Sequence, residues 1–230
     1  MGRIIHIEID PETKEIIKDL LSEMEKPVII KLFTSDYCDD KDINWCVPTE
    51  EFLNLLKELA PEGKIVIEKY TPQSSLSEFK KYNIDESKVP TVCLGDCWVK
   101  YVGAPLGEEV KSFIKTIITI SSGKTNLKPS TREALNELNN NVEIITLVTP
   151  ACPYCPEAAY LANLFAIESK GRVSSVIVDA SIYPEIAYIY AVTAVPAIII
   201  KRQREEYGTL EFIGVPAEHD LLEKILEYGR

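Results

Sequence analysis

Three short patterns occur twice along this chain, in the same order. Val28-Ile29-Ile30-Lys31-Leu32-Phe33-Thr34-Ser35-Asp36-Tyr37-Cys38 has a counterpart in Val142-Glu143-Ile144-Ile145-Thr146-Leu147-Val148-Thr149-Pro150-Ala151-Cys152. Each is an apolar, strand-like run that ends in a threonine and then a cysteine. Val89-Pro90-Thr91-Val92 is answered by Val195-Pro196-Ala197-Ile198, and Tyr101-Val102-Gly103-Ala104-Pro105 by Phe212-Ile213-Gly214-Val215-Pro216. Coincidence does not keep three patterns in order, so the chain reads as two copies of one supersecondary plan.

That plan is β–α–β–α–β–β–α. In the second copy, hydrophobic periodicity and turn residues place strands at 142–148 and 173–178, a hairpin at 197–201 and 206–213, and helices at 156–168, 184–190 and 218–228. In the first copy the strands fall at 28–33, 64–70, 91–94 and 98–102, and the helices at 49–59, 76–82 and 107–118. An extra strand (4–8) and helix (12–24) precede the first copy. A helix at 131–139, capped by Ser130 or Thr131, precedes the second. The most turn-like stretch between the copies is Ser121-Ser122-Gly123-Lys124-Thr125-Asn126, which divides the chain into units 1–121 and 122–230. It is too short to let them swing freely. The fold class expected is α/β, two tandem units, each a central mixed β-sheet flanked by helices.

A formal charge of -11 excludes nucleic acid as a partner, because phosphate binding needs a basic surface, and it excludes an anionic membrane face for the same reason. The N-terminus alternates charged and apolar residues without the apolar run of a secretory signal, and nothing approaches the length of a membrane span. A cytoplasmic protein is expected. In that compartment six cysteines point to reactive or metal-binding thiols more than to a disulfide scaffold, with hyperthermophiles the exception.

The strongest chemical signal is Cys152-Pro153-Tyr154-Cys155, set where a strand ends and a helix begins. A sulfur at a helix N-terminus meets unpaired backbone N–H groups and the positive end of the helix dipole, which lowers its pKa and makes it a nucleophile. Two intervening residues put the second sulfur one turn inward, close enough to close a disulfide. Pro153 stiffens the motif where a missing N–H costs nothing. The expected cycle is attack by Cys152 on a substrate disulfide, then resolution of the mixed disulfide by Cys155. No cofactor is needed for that chemistry. The competing readings are a structural disulfide and half of a zinc site, and the latter lacks a second ligand pair in this half, where only His219 is available.

The Cys-Pro-Tyr-Cys motif, its strand-to-helix setting and the downstream Val195-Pro196 resemble the thioredoxin and glutaredoxin superfamily. The doubled arrangement resembles the protein disulfide oxidoreductases of hyperthermophiles, related to protein disulfide isomerase, over nearly the whole chain. The resemblance implies a disulfide reductase, oxidase or isomerase acting on proteins and reduced by a thioredoxin reductase-like flavoprotein. It also implies a cis Pro196 beside the dithiol and a Val195 backbone that pairs with substrate like an added strand. Thioredoxins carry a buried acid six positions before the nucleophile; here that position is Thr146. Asp179 is read either as its substitute, taking the proton from Cys155, or as an exposed strand-end carboxylate, with Glu68 as its first-half counterpart.

The first copy departs from the motif. Cys38 is followed by Lys41 three positions on, and Cys46 comes eight positions on; Cys93 and Cys97 follow Val89-Pro90 closely. Three readings stay open. The four cysteines hold a [2Fe-2S] cluster or zinc, in a spacing that resembles thioredoxin-like [2Fe-2S] ferredoxins; or they form disulfides Cys38–Cys46 and Cys93–Cys97; or they are buried thiols. Three functions compete: an enzyme exchanging disulfides through Cys152 and Cys155, an electron-transfer protein coupling a first-half metal site to the dithiol, and a binding module whose first half docks substrate.

Overall fold

The computed structural model describes residues 3–35 and 43–230. Among them the first half of the chain runs β1 (Arg3–Ile4), α1 (Pro11–Leu21), β2 (Val28–Phe33), β3 (Ile43–Asn44), α2 (Cys46–Leu59), β4 (Ile65–Tyr70), α3 (Pro72–Lys81), β5 (Thr91–Leu94), β6 (Val99–Val102) and α4 (Val110–Ser122), the last entered through a 3-10 turn at Gly107–Glu109. The second runs α5 (Pro129–Leu135), β7 (Val142–Val148), α6 (Cys155–Glu168), β8 (Val173–Asp179), α7 (Pro184–Ile189), β9 (Ala197–Arg202), β10 (Thr209–Ile213) and α8 (Glu218–Gly229). No helix of the described residues is long and apolar enough to cross a membrane.

The main sheet has the order β10-β9-β7-β8-β6-β5-β2-β4. Each half contributes a parallel pair (β2 with β4, β7 with β8) and an antiparallel hairpin (β5 with β6, β9 with β10). The halves are joined edge to edge, because β6 pairs in parallel with β8 from Val99↔Ser175 to Val102↔Val178. The copies match down to single hydrogen bonds. Val89-Pro90 and Val195-Pro196 are both cis. The Gly103 N–H donates to the Pro90 carbonyl at 2.9 Å, and the Gly214 N–H donates to the Pro196 carbonyl at 2.7 Å. Both glycines sit at positive φ (105° and 95°), a conformation that explains why glycine recurs there.

Burial follows the same plan. One apolar core runs from Leu21, Ile30, Leu53 and Phe113 of the first half into Ala159, Ala166 and Ile177 of the second, so the join is itself core. Helices α4 and α6 pack side by side across it. The expected join at 121–126 follows the end of α4, where Gly123 adopts the left-handed C-cap conformation.

Two expectations fail at the extra elements. The strand expected at 4–8 is only the two-residue β1, paired with β3. Residues 5, 7 and 9 are half-buried while 4, 6, 8 and 10 are exposed, so the alternation marks one face laid on the core rather than a ladder. The helix expected at 131–139 starts at Pro129, with Lys128 as its N-cap residue. Glu218 accepts from the Lys128 N–H at 2.9 Å and from the Thr131 hydroxyl. A carboxylate from α8 thus performs the capping that a local hydroxyl was expected to supply.

Candidate active site

Strand β7 ends at Val148 and α6 begins at Cys155, so the loop 149–154 delivers Cys152 against the opening turn of the helix. Cys152 and Cys155 are joined in a disulfide, with their Cα atoms 5.4 Å apart. The Cys155 N–H donates to the Cys152 sulfur at 3.1 Å. That amide is one of the helix-start donors with no partner inside the helix, and it favours negative charge on the sulfur it faces. Pro156 occupies the first turn, where its missing N–H removes no bond. Cys152 is 8 % exposed and Cys155 0 %, so the two residues differ in burial. Pro153 and Tyr154 lie at the surface, Tyr154 with its ring largely in solvent.

Pro196 is cis, as the resemblance implied, and buried. Val195 packs against the core that contains Cys152 and Cys155. The ladder of β9 with β7 begins only at Ala197, which leaves Val195 just outside it.

The acids are arranged differently from the sequence expectation. Thr146 is fully buried and its hydroxyl has no hydrogen-bond partner among the described residues. Asp179, the last residue of β8 and paired with Val148, is 5 % exposed rather than a solvated strand end. Its Oδ1 accepts from the Ser181 N–H at 2.9 Å and from the Ser181 hydroxyl at 2.6 Å. Glu68 is not its counterpart: Phe33 pairs with Tyr70 as Leu147 pairs with Val178, which puts Thr71 in Asp179's place. Glu68 is instead tied to Lys31 at 3.3 Å and to the Tyr70 hydroxyl at 2.8 Å.

A second acid, Glu109, was not anticipated. It ends the 3-10 turn as the N-cap residue of α4, a position where carboxylates are ordinarily solvated, and nothing in its local sequence distinguishes it from Glu108. Here it is 3 % exposed. Its Oε2 accepts from the Ser112 hydroxyl at 2.7 Å, while Oε1 has no partner among the described residues. Glu109 and Asp179 line one small cleft of about 10 Å³ together with Val148 and Pro150. Burial pushes the Glu109 carboxyl up to about 7, and the neighbouring charge of Asp179 acts in the same direction. The first half reaches the dithiol loop directly. The Glu108 N–H donates to the Pro150 carbonyl at 2.9 Å. Gly107, at φ 64°, lies so close that a Cβ there would sit 2.5 Å from the same oxygen.

The first-half cysteines separate. Cys46 opens α2 as Cys155 opens α6, and its N–H is capped by Asn44 Oδ1 at 3.0 Å. Cys46 is disulfide-bonded; the expected Cys38–Cys46 pairing involves Cys38, which lies outside the described residues. Cys93 and Cys97 are thiols, which corrects the expected Cys93–Cys97 disulfide. The hairpin turns through three successive positive-φ residues, Gly95, Asp96 and Cys97. It packs both side chains into a cluster with Phe33, Phe79 and Ile84. There they hydrogen-bond, and burial pushes the Cys93 thiol well above the usual range. Among the described residues no three cysteine, histidine or acidic side chains gather as metal ligands. A bonded Cys46 with two buried thiols does not supply the four thiolates a cluster requires. His6 and His219 are surface residues, paired with Glu51 and Glu223.

Comparison with known proteins bears on the family and the fold. The family described as thioredoxin domain matches residues 140–227. The chain is 33% identical over 85 residues to a probable thioredoxin of Methanothermobacter thermautotrophicus, covering 37% of this chain and 91% of that protein. It is 33% identical over 86 residues to a thioredoxin of Methanocaldococcus jannaschii, covering 37% and 94%. A protein disulfide oxidoreductase from Aeropyrum pernix superposes with a TM-score of 0.87 at 32% identity, over 96% of this chain and 93% of that one. The N-terminal domain of an alkylhydroperoxide reductase subunit from Enterococcus faecalis shares the fold, with a TM-score of 0.78 at 22% identity over 94% of this chain and 99% of that one.

Proposed function

We propose that this chain, which belongs to the thioredoxin family and is a thiol–disulfide oxidoreductase, exchanges disulfides on protein substrates, with Cys152 as the attacking sulfur and Cys155 as the resolving one. The observation that carries the assignment is the asymmetry at the head of α6. Cys152, the less buried of the two residues, has its sulfur facing a helix-start N–H, and Cys155 is fully buried. In the reduced protein the Cys152 thiolate attacks a substrate disulfide and forms a mixed disulfide. The Cys155 thiolate then attacks Cys152 and releases the substrate thiol. Run backwards, the same sulfurs oxidise a substrate dithiol.

Pro153 keeps the turn stiff, and Tyr154 offers its exposed ring to the substrate. The Val195 backbone, beside the start of β9, receives the substrate chain as a short extra strand, with Pro196 forming the floor next to the dithiol. Asp179 is the acid beside the loop that handles the Cys155 proton. Units 1–121 and 122–230 act as one body in this reading, the first bracing the second. A thioredoxin reductase-like flavoprotein returns the dithiol to its reduced form in the cytoplasm. The name of the Aeropyrum relative supports protein disulfides as substrates.

Insulin reduction driven by dithiothreitol tests the assignment. Cys152→Ser abolishes turnover, and Cys155→Ser accumulates a mixed disulfide with the substrate. Undiminished turnover in Cys152→Ser rejects the proposal.

A further inference from the structure

Two thiols take no part in the dithiol chemistry. Cys93 and Cys97 hydrogen-bond to one another at the β5–β6 hairpin, 0 % and 7 % exposed. Phe33, Phe79 and Ile84 wall them in. This is the face of the first-half sheet away from α2. Val92 and Leu94, the strand neighbours of Cys93, point the other way, into the core with Phe52 and Leu53.

Charge is arranged around the pair. Cys93 is in register with Lys31 of β2 on one side and with Lys100 of β6 on the other, so the three side chains form a row on one sheet face. Lys31 is held by Glu68 at 3.3 Å. Lys100 is half-buried, donates to the Tyr82 carbonyl at 2.8 Å and has no carboxylate partner among the described residues. Charges withdrawn from water are ordinarily matched by an opposite charge. The neighbouring thiol does not supply one by itself, because burial and the second thiol push Cys93 well above its usual range, and the two ammonium groups only partly oppose them. Acid–base chemistry therefore leaves the pair neutral and Lys100 unmatched. A soft cation that displaces both protons gives the row its anion.

We propose that Cys93 and Cys97 form a two-coordinate site for a soft monovalent metal ion, Cu(I), with Lys100 and Lys31 balancing the charge of the complex. Thiolate sulfur selects such an ion. Structural zinc and iron–sulfur clusters call for four ligands, and only two sulfurs meet here. A linear ion needs just two, set little farther apart than in a thiol–thiol hydrogen bond. On binding, each S–H releases its proton to water and two S–Cu bonds form. Copper stays monovalent, so no electron changes hands. The complex carries one negative charge, which the Lys100 ammonium meets. Cys97, at the hairpin turn, is the way in, and the aromatic wall keeps water off the bound ion. The inference stands apart from the dithiol assignment.

The test uses the oxidised chain, whose closed Cys152–Cys155 bond offers no competing thiol. Under argon it is titrated with Cu(I), supplied as its acetonitrile complex, against the coloured chelator bathocuproine disulfonate. The wild type is expected to withdraw one copper per chain, and an excess of Zn(II) leaves that copper in place. Cys93→Ser and Cys97→Ser withdraw none. Lys100→Met binds roughly tenfold more weakly, the low end of the loss seen when a group supporting a metal ligand is removed; unchanged affinity in that variant overturns the charge-balancing role. No withdrawal by the wild type, or one copper still withdrawn by both serine variants, overturns the site. If a serine variant does not fold, X-ray absorption at the copper edge of the wild-type complex decides. Two sulfur neighbours and no others support the proposal, and three or more ligands, or any nitrogen or oxygen neighbour, reject it.

Discussion

The Asn163 side-chain amide donates to the Tyr101 hydroxyl at 2.9 Å, from α6 of the second half to β6 of the first. The same amide donates to Thr116 Oγ1 at 2.9 Å, and its oxygen accepts from Ser175 Oγ at 2.7 Å. The Tyr101 hydroxyl continues to Ser112 at 3.1 Å, and Ser112 reaches Glu109. A polar chain thus crosses the apolar join and ends at the acid under the dithiol loop. Such a network fixes register, because a shifted packing would strand each member without a partner.

Replacing Asn163 with leucine removes the hub and leaves Tyr101, Thr116 and Ser175 short of partners in a site where Asn163 is 0 % exposed. The expected cost is about 2–4 kcal/mol, from several buried groups losing partners at once. Urea unfolding measures it, and an unchanged midpoint would contradict the role given to the network.

Stability should also depend on Glu109 in a definite direction. Its folded-state value of about 7 lies above the ordinary 4.5, so the folded chain keeps a proton that the unfolded chain has lost between those limits. The contribution is whole below pH 4.5 and falls as pH rises to about 7. Across the window it amounts to about 3 kcal/mol. Glu109→Gln removes this slope, so the variant matches the wild type near pH 4 and exceeds it at pH 8 in urea titrations. Equal stability differences at both pH values would count against a buried, proton-holding carboxyl.

Cys93 and Cys97 should be silent toward maleimide in the native protein and react once it is denatured, because both are buried and Cys93 is held in its neutral form. Mass spectrometry of labelled peptides reads this directly. Rapid native labelling of either would show that the aromatic cluster opens easily.

The repeats made much of this legible. The bounds of β2, β5 and β7 are those the apolar runs implied, because a strand between turn signals is fixed by its own residues. The cysteine pair at the head of α6 was visible for the same local reason. Other features depend on partners far along the chain. Residues 5–9 alternate as a strand would, yet they pack on the core without a strand partner among the described residues. Lys128 is capped by Glu218, ninety positions away. Glu109 carries no local mark at all; its burial comes from β8 and the dithiol loop, which only the packing of the halves brings to it. Which of the open readings Cys93 and Cys97 would follow depends on three left-handed residues in succession, which are not readable from Gly95 alone.

The β6–β8 ladder has a consequence for how such a chain can be handled or divided. A cut at Gly123 would turn two interior strands into bare margins, each presenting a row of unmatched amides and carbonyls to any passing polypeptide. The fragment carrying Cys152 would retain its redox motif but expose a sticky flank that the intact chain keeps covered.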